Sequence, residues 1–128
     1  MGSMRLWHQS LISKLPRQQI LGLHREVCAL RGNGWGRKHS TVDYVFTHPH
    51  EYLVAYHYLV MKEMDIRGYK VDENWLRPRY RGKKCNDHDG VLRYNVCNMS
   101  DPIYPEHNDA YLQECIDNLK AKGVEITS

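Results

Sequence analysis

The chain has 128 residues, of which 41% are apolar and 26% charged, and it carries a net charge of +3 with a pI near 8.7. This composition is that of one ordinary soluble domain, large enough for one core but not for two. No signal peptide and no apolar run of transmembrane length appears, so we expect a cytoplasmic protein without membrane contact, whose four scattered cysteines are reduced. The charge permits a polyanionic partner without requiring one.

Residues 1–3 are typical of an added expression leader, so we expect the natural chain to begin at Met4 and to form one domain over residues 4–128. The stretch that follows has mixed periodicity and fits either an extended lead-in or a short helix. In both cases Trp7 and Leu11 are the expected anchors.

An amphipathic helix is predicted from Pro16 to Arg31. Proline suits a first helical turn, and Gly32 is expected to close the helix in the left-handed conformation. At about 100° per residue, one side of this helix is mainly apolar and comprises Ile20, Leu23, His24, Val27, Cys28 and Leu30. The other side comprises Gln18, Gly22, Arg25, Glu26 and Ala29.

The second side of this helix permits two interpretations. Gly22 and Ala29 have almost no side chain, so they could clear space for a ligand to reach Arg25 and Glu26. Alternatively, Gly22 allows close packing of another helix, and the two charged residues are merely exposed. Gly22 needs some explanation, because glycine inside a helix costs about 1 kcal/mol relative to alanine.

Two basic segments are candidates for phosphate binding. Arg37, Lys38 and His39 follow a glycine-rich loop whose backbone N–H groups could also bind an anion. The second segment, residues 75–84, interleaves five cations, among them Arg79 and Arg81, with two aromatic residues, which is the composition of a surface that tracks a nucleic-acid backbone and stacks on bases. For both segments the alternative is a solvated basic surface.

Two further long helices are predicted, from Pro49 to Arg67 and from Pro105 to Lys122, with Gly68 and Gly123 as their C-terminal caps. A short helical turn is expected over residues 40–46, between the first and the second long helix. The second long helix is apolar around most of its circumference, so it should be the central core helix, with His57 as a core residue and not a ligand. Little strand is expected, and the predicted fold is a mainly α, compact single domain of about three long helices with irregular connections.

Two cysteines and two histidines could formally form a zinc site, namely Cys85, His88, Cys97 and His107. Their spacing matches no compact zinc motif, since only the first two lie close together. We therefore predict no metal and no small-molecule cofactor.

One set of residues resembles a known family. The pattern Leu-x-x-Gln, Arg-Glu and Gly-x-x-Arg-Lys-His is similar to that of the pyrimidine-dimer DNA glycosylases of the phage endonuclease V type. The Met-Arg-Leu-Trp start and the segment 67–71, Arg-Gly-Tyr-Lys-Val, resemble bacterial members of that group, and the resemblance covers roughly residues 4–71. The residues that carry the pattern are Leu15, Gln18, Arg25, Glu26, Gly34, Arg37, Lys38 and His39.

The resemblance implies a compact all-α repair enzyme that binds damaged double-stranded DNA, flips a nucleotide out of the duplex and needs no cofactor. It assigns the catalytic carboxylate to Glu26, and the nucleophile to an N-terminal α-amine that attacks the sugar C1′, forms an imine and permits strand cleavage by β-elimination. Cleavage of that kind is an abasic-site lyase activity. The DNA contacts implied are Gln18, Arg25, Arg37, Lys38 and His39, to which the basic run adds Arg79 and Arg81.

The chain departs from the phage pattern at its start. There an exposed threonine supplies the amine, whereas here Arg5 follows Met4 and is too large for the usual removal of the initiator methionine. Met4 itself would then carry the amine, with Lys14 or Lys38 as substitutes. The alternative function is a non-catalytic DNA-binding module that keeps the basic surface and lacks the amine nucleophile. In either case we expect a monomer.

Overall fold

The computed structural model describes residues 6–32, 43–77, 80–83 and 102–126. Within those ranges the secondary structure is helical and contains no strand, which confirms the mainly α fold class. The three α-helices are α1 (Arg17–Arg31), α2 (His50–Ile66) and α3 (Asp109–Ala121). Three short 3-10 helices accompany them, at Gln9–Leu11, Asp43–Thr47 and Glu73–Leu76.

The helix starts follow from their caps. Pro16 and Pro49 are the N-caps of α1 and α2, so each helix begins one residue after its proline. The predicted start of the last helix at Pro105 is wrong. The side chain of Asn108 accepts a hydrogen bond from the backbone N–H of Tyr111, and this cap begins α3 only at Asp109.

The helix ends divide into two kinds. Gly68 and Gly123 have φ values of 82° and 83°, which confirms them as left-handed caps. Gly32 does not have this conformation, since its φ is −95°, and that prediction was wrong. A Cβ atom at Gly32 would lie 2.7 Å from the carbonyl oxygen of Arg81, so glycine is required there by a close backbone approach.

The core lies between α1, α2 and the residues before α1. Trp7 and Leu11 are buried, as predicted for anchors, and so is His57 in the middle of α2. None of the helices in the described ranges combines the length and the apolar character needed to cross a membrane. The apolar residues of α1 and α2 that are fully or almost fully buried are Ile20, Leu23, Val27, Leu30, Leu53, Val54, Ala55, Tyr56, Val60, Met61 and Met64.

A buried cation, Arg31, joins the end of α1 to the segment after α2. Its Nη1 donates to the carbonyl oxygen of Trp75 at 2.9 Å, and its Nη2 donates to those of Arg77 at 2.9 Å and Tyr80 at 3.1 Å. The guanidinium carbon also lies 5.0 Å from the centre of the Trp75 ring. Tyr80 is 8% exposed and packs edge-to-face on Trp75, which is half-buried. Tyr80 is therefore not available as a base-stacking residue, whereas stacking on Trp75 stays a prediction.

The Arg31→Met variant should unfold far more easily than the wild type. Methionine fills similar space but leaves three carbonyl oxygens without their donor, and we expect a loss of about 3 kcal/mol or more in unfolding free energy, measured by urea denaturation. The matched control is Arg25→Met on the exposed side of the same helix, which should change stability by about 0.5 kcal/mol or less. Equal losses in both variants would contradict the structural role of Arg31.

His107 has both ring nitrogens in hydrogen bonds. The backbone N–H of Gln9 donates to its Nδ1 at 3.1 Å, and its Nε2 lies 2.6 Å from the hydroxyl of Tyr44. Neither nitrogen of His107 is open to a metal, and the other three residues of that set, Cys85, His88 and Cys97, lie outside the described residues. Burial, followed by the nearby His8, lowers the pKa of His107 to about 3.

This lowered pKa predicts acid destabilisation. An unfolded histidine has a pKa near 6.5, so between pH 6.5 and about 3 the unfolded chain binds a proton that folded His107 does not. Stability should then fall as the pH drops through this range, by up to about 1.4 kcal/mol per pH unit from this group. His107→Asn, which cannot titrate, should show a shallower loss in urea denaturation at pH 7, 6 and 5. Identical slopes for variant and wild type would refute this assignment.

Candidate active site

Glu26 occupies a half-buried position on α1. The pKa of the buried Tyr56 hydroxyl is raised well above its ordinary value, mainly by burial, and the negative charge of Glu26 contributes to that shift. The carboxylate is therefore within electrostatic range of Tyr56. A half-buried carboxylate at this depth can stabilise a developing positive charge more strongly than one in open solvent.

Tyr56 also binds the main chain near the start of the described residues. Its hydroxyl donates to the carbonyl oxygen of Trp7 at 2.5 Å, and both residues are buried. Met4 lies three residues before Trp7 and outside the described residues. Three residues of extended chain span at most about 10 Å, which bounds the distance from Met4 to Trp7.

The side of α1 that carries Arg25 is open. Gln18, Arg25 and Ala29 are exposed there, and Gly22 is partly exposed. Among the described residues, the nearest atom to a Cβ placed on Gly22 is Nη2 of Arg25 itself, at 3.9 Å. Close packing of another helix on Gly22 is therefore not seen in the described part of the chain, and the Arg25 guanidinium lies back over this glycine instead.

The other predicted DNA contacts divide into those inside and those outside the described ranges. Arg81 donates from Nε to the carbonyl oxygen of Arg31 at 2.8 Å, and from Nη2 to that of Gly32 at 3.0 Å. It thus satisfies carbonyl groups at the C-terminus of α1, and its contact with DNA stays a prediction. Outside the described residues lie Met4, Arg37, Lys38, His39 and Arg79.

Three potential metal ligands lie close together, two of them on α1 and one on α2. Their ligand atoms, from His24, Cys28 and His57, all lie within 4.8 Å of one another. Nη1 of Arg31 lies 2.8 Å from Nδ1 of His57, and because arginine can only donate, the proton of neutral His57 must be on Nε2. That Nε2 lies 2.9 Å from Nδ1 of His24 and donates to it.

The arrangement is therefore a directed hydrogen-bond chain from Arg31 through His57 to His24. His57 has no lone pair left for a metal while Arg31 is in place. Burial, then Arg31 and His24, lowers the pKa of His57 well below its usual value, which keeps the ring neutral. Burial also raises the pKa of the Cys28 thiol to about 12, so this cysteine is protonated and is not a nucleophile.

Sequence reasoning did not find the residues that connect these parts. Arg31 follows His24 and Cys28 at helical spacing, and that spacing was the available sign that it continues the buried side of α1. Tyr56 was predicted only as an apolar core residue. The excess of nine tyrosines over one phenylalanine was the available sign that buried rings here use their hydroxyls.

One family model matches the chain. It describes the pyrimidine dimer DNA glycosylases, and it covers residues 4–77, which is more than half of the 128 residues and includes Arg25, Glu26 and the basic loop. No curated protein and no solved structure gave a significant match. The match confirms the resemblance carried by the Arg-Glu and Arg-Lys-His motifs, and it implies activity on damaged DNA. The chain therefore belongs to the pyrimidine dimer DNA glycosylase family.

Proposed function

We propose that this protein removes damaged pyrimidines from duplex DNA, with Glu26 as the catalytic carboxylate and the α-amine of Met4 as the nucleophile, and that it then cleaves the abasic strand. The observation that supports the proposal is that Tyr56, whose hydroxyl donates to the carbonyl oxygen of Trp7, is also within the electrostatic influence of the half-buried Glu26. An α-amine at Met4, three residues before Trp7, can be at most about 10 Å of extended chain away from Trp7. An α-amine has a pKa near 8, so a useful fraction is neutral and nucleophilic at neutral pH.

The chemistry divides into base release and strand cleavage. The amine lone pair forms a bond to C1′ while the glycosidic bond breaks, and the base leaves with the bonding pair and takes up a proton. The C1′–O4′ bond then opens, O4′ gains a proton, and the nitrogen loses one as the imine forms. Removal of a proton from C2′ finally expels the 3′ phosphate by β-elimination. Glu26 stabilises the positive charge that develops at C1′ and on the protonated imine.

DNA binding is assigned to the open side of α1. Arg25 and Gln18 are exposed on that side, where a guanidinium can hold a phosphate and an amide can donate to the sugar-phosphate backbone. Gly22 and Ala29 leave little bulk between them. We infer that a nucleotide flipped out of the duplex enters here, with the loop residues Arg37, Lys38 and His39 on the flanking phosphates.

The Glu26→Gln variant tests the carboxylate. Glutamine keeps the shape but not the charge, so we expect base release and borohydride trapping of the imine to fall by about 100-fold or more. Ultraviolet-irradiated and abasic duplexes are the substrates, and cleaved strand and trapped complex are measured on denaturing gels. The control is Glu125→Gln, which removes an exposed carboxylate after α3 and should leave both rates unchanged.

DNA affinity separates this proposal from a non-catalytic binding module. The Glu26→Gln change removes a negative charge near the bound phosphates, so the affinity of the variant for duplex DNA should be unchanged or higher. Tight binding by the wild type with neither cleavage nor trapping would favour the binding module, whose basis in this chain is the Met4-Arg5 start.

The position of the amine has its own test. Protein that begins at Met4 should be trapped by borohydride on abasic DNA at least about 10-fold faster than the 128-residue chain, because residues 1–3 move the α-amine away from Glu26. Peptide mapping should find the sugar on Met4. Equal trapping of both forms, with the adduct on Lys14 or Lys38, would assign the imine to a lysine instead.

A further inference from the structure

The four residues from Leu6 to Gln9, of which Gln9 begins the first 3-10 helix, are bound along their length by other parts of the chain. Tyr111 of α3 donates its hydroxyl to the carbonyl oxygen of Leu6, which is fully buried. Tyr56 of α2 holds the next carbonyl, that of Trp7. The ammonium of Lys122, at the end of α3, lies 5.3 Å from the centre of the Trp7 ring.

The turn before α3 binds the other end of this segment. His107 accepts the backbone N–H of Gln9, and its ring stacks on His8 with centres 5.5 Å apart. The backbone N–H of Ile103 donates to the side-chain oxygen of Gln9 at 2.8 Å. Main-chain groups and side chains of the segment are thus bound at several successive positions.

These contacts form a directed chain of hydrogen bonds. Because Gln9 donates to Nδ1 of His107, the proton of this neutral ring is on Nε2 and is donated to the oxygen of Tyr44. The Tyr44 hydroxyl forms a side-chain hydrogen bond with Tyr111. Tyr111 in turn donates to the Leu6 carbonyl, so the chain ends on the first described residue of the protein.

We propose that Tyr111 is a positioning residue for the proposed reaction, because its bond to the Leu6 carbonyl holds the main chain two residues after Met4, whose α-amine is the proposed nucleophile. The inference rests on the function proposed above. It gives a role to a part of the chain that the family match does not cover, since the match ends at residue 77. Met4 is two residues before Leu6, so the hydroxyl of Tyr111 is the nearest described side-chain anchor to the amine among the bonds above.

The expected effect of losing this anchor is on rate, not on binding. Proximity catalysis is sensitive to placement, and a 1 Å displacement of a reacting group can cost about 100-fold in rate. DNA contacts assigned to the open side of α1 do not involve Tyr111. A change in amine placement should therefore slow imine formation while DNA affinity stays the same.

The Tyr111→Phe variant, in protein that begins at Met4, tests this directly. We expect the single-turnover rate of borohydride trapping on an abasic duplex to fall by about 10-fold or more. The dissociation constant for a duplex with a tetrahydrofuran abasic analogue, which cannot form an imine, should stay within about twofold of wild type.

Tyr44→Phe is the matched control. It deletes the same atom from the same hydrogen-bond chain but leaves the Tyr111 bond to Leu6 in place. We expect it to lower the melting temperature yet keep trapping within about threefold of wild type, which separates positioning from general loss of stability. If Tyr111→Phe does not fold at the assay temperature, Gln9→Ala, which removes the acceptor for Ile103, carries the same expectation of slow trapping with unchanged affinity.

The outcomes are distinguishable. An active wild type with unchanged trapping in Tyr111→Phe overturns the positioning role and leaves the proposed function standing. Equal loss of trapping in Tyr44→Phe and Tyr111→Phe also overturns it, because the effect would then follow stability. A wild type that forms no trapped complex overturns the proposed function, and the positioning role with it.

Discussion

The buried guanidinium of Arg31 is the interaction on which the arrangement of the helices depends. It lies at the last residue of α1 and takes its acceptors from α2 and from the segment after α2, so it fixes three parts of the chain relative to one another. A cation in a protein interior is tolerated only when donors of its charged group are satisfied, and here backbone carbonyls and a ring nitrogen accept from both Nη groups of Arg31. The backbone of Arg81 also approaches Gly32 closely, at the same end of α1.

The hydrogen bonds of Arg31 also determine the proton positions of neighbouring histidines. Because Arg31 donates to His57, the proton positions of His57 and His24 are determined, and a cluster that by composition could hold a metal becomes a hydrogen-bond chain. The identity of the donors, and not the distance between the ligands, decides between these two possibilities. The same reasoning about donors and acceptors gives the direction of the chain from His107 to Leu6.

Two sides of α1 thus have different tasks. The inner side is held by apolar contacts and by Arg31, and its rigidity fixes the position of Glu26. The outer side presents Arg25 over a glycine, in a region without bulky neighbours among the described residues. If Glu26 and the N-terminal amine act as proposed, a carboxylate on a packed helix and a lead-in segment bound by other helices supply the preorganisation that proximity and electrostatic catalysis require.

The sequence by itself determined the helices, and with them the family. The 3.6-residue periodicity, the prolines at the starts and the glycines at two of the ends placed α1 and α2 within one residue of their observed bounds, because these signals are local. Short motifs such as Arg25-Glu26 were also readable, since two neighbouring residues on one helix need no tertiary information to be recognised.

Only the tertiary structure decided which polar groups are buried together. The burial of Arg31 against the segment after α2, the bond of Tyr56 to Trp7, and the bond of Tyr111 to Leu6 across 105 residues of sequence are pairings between distant segments. Periodicity assigns a residue to a side of a helix but does not say what faces it. For the same reason Trp75 and Tyr80 had the composition of an exposed stacking surface. In the structure Trp75 is half-buried and lies against Arg31, and Tyr80 is buried and packs on Trp75.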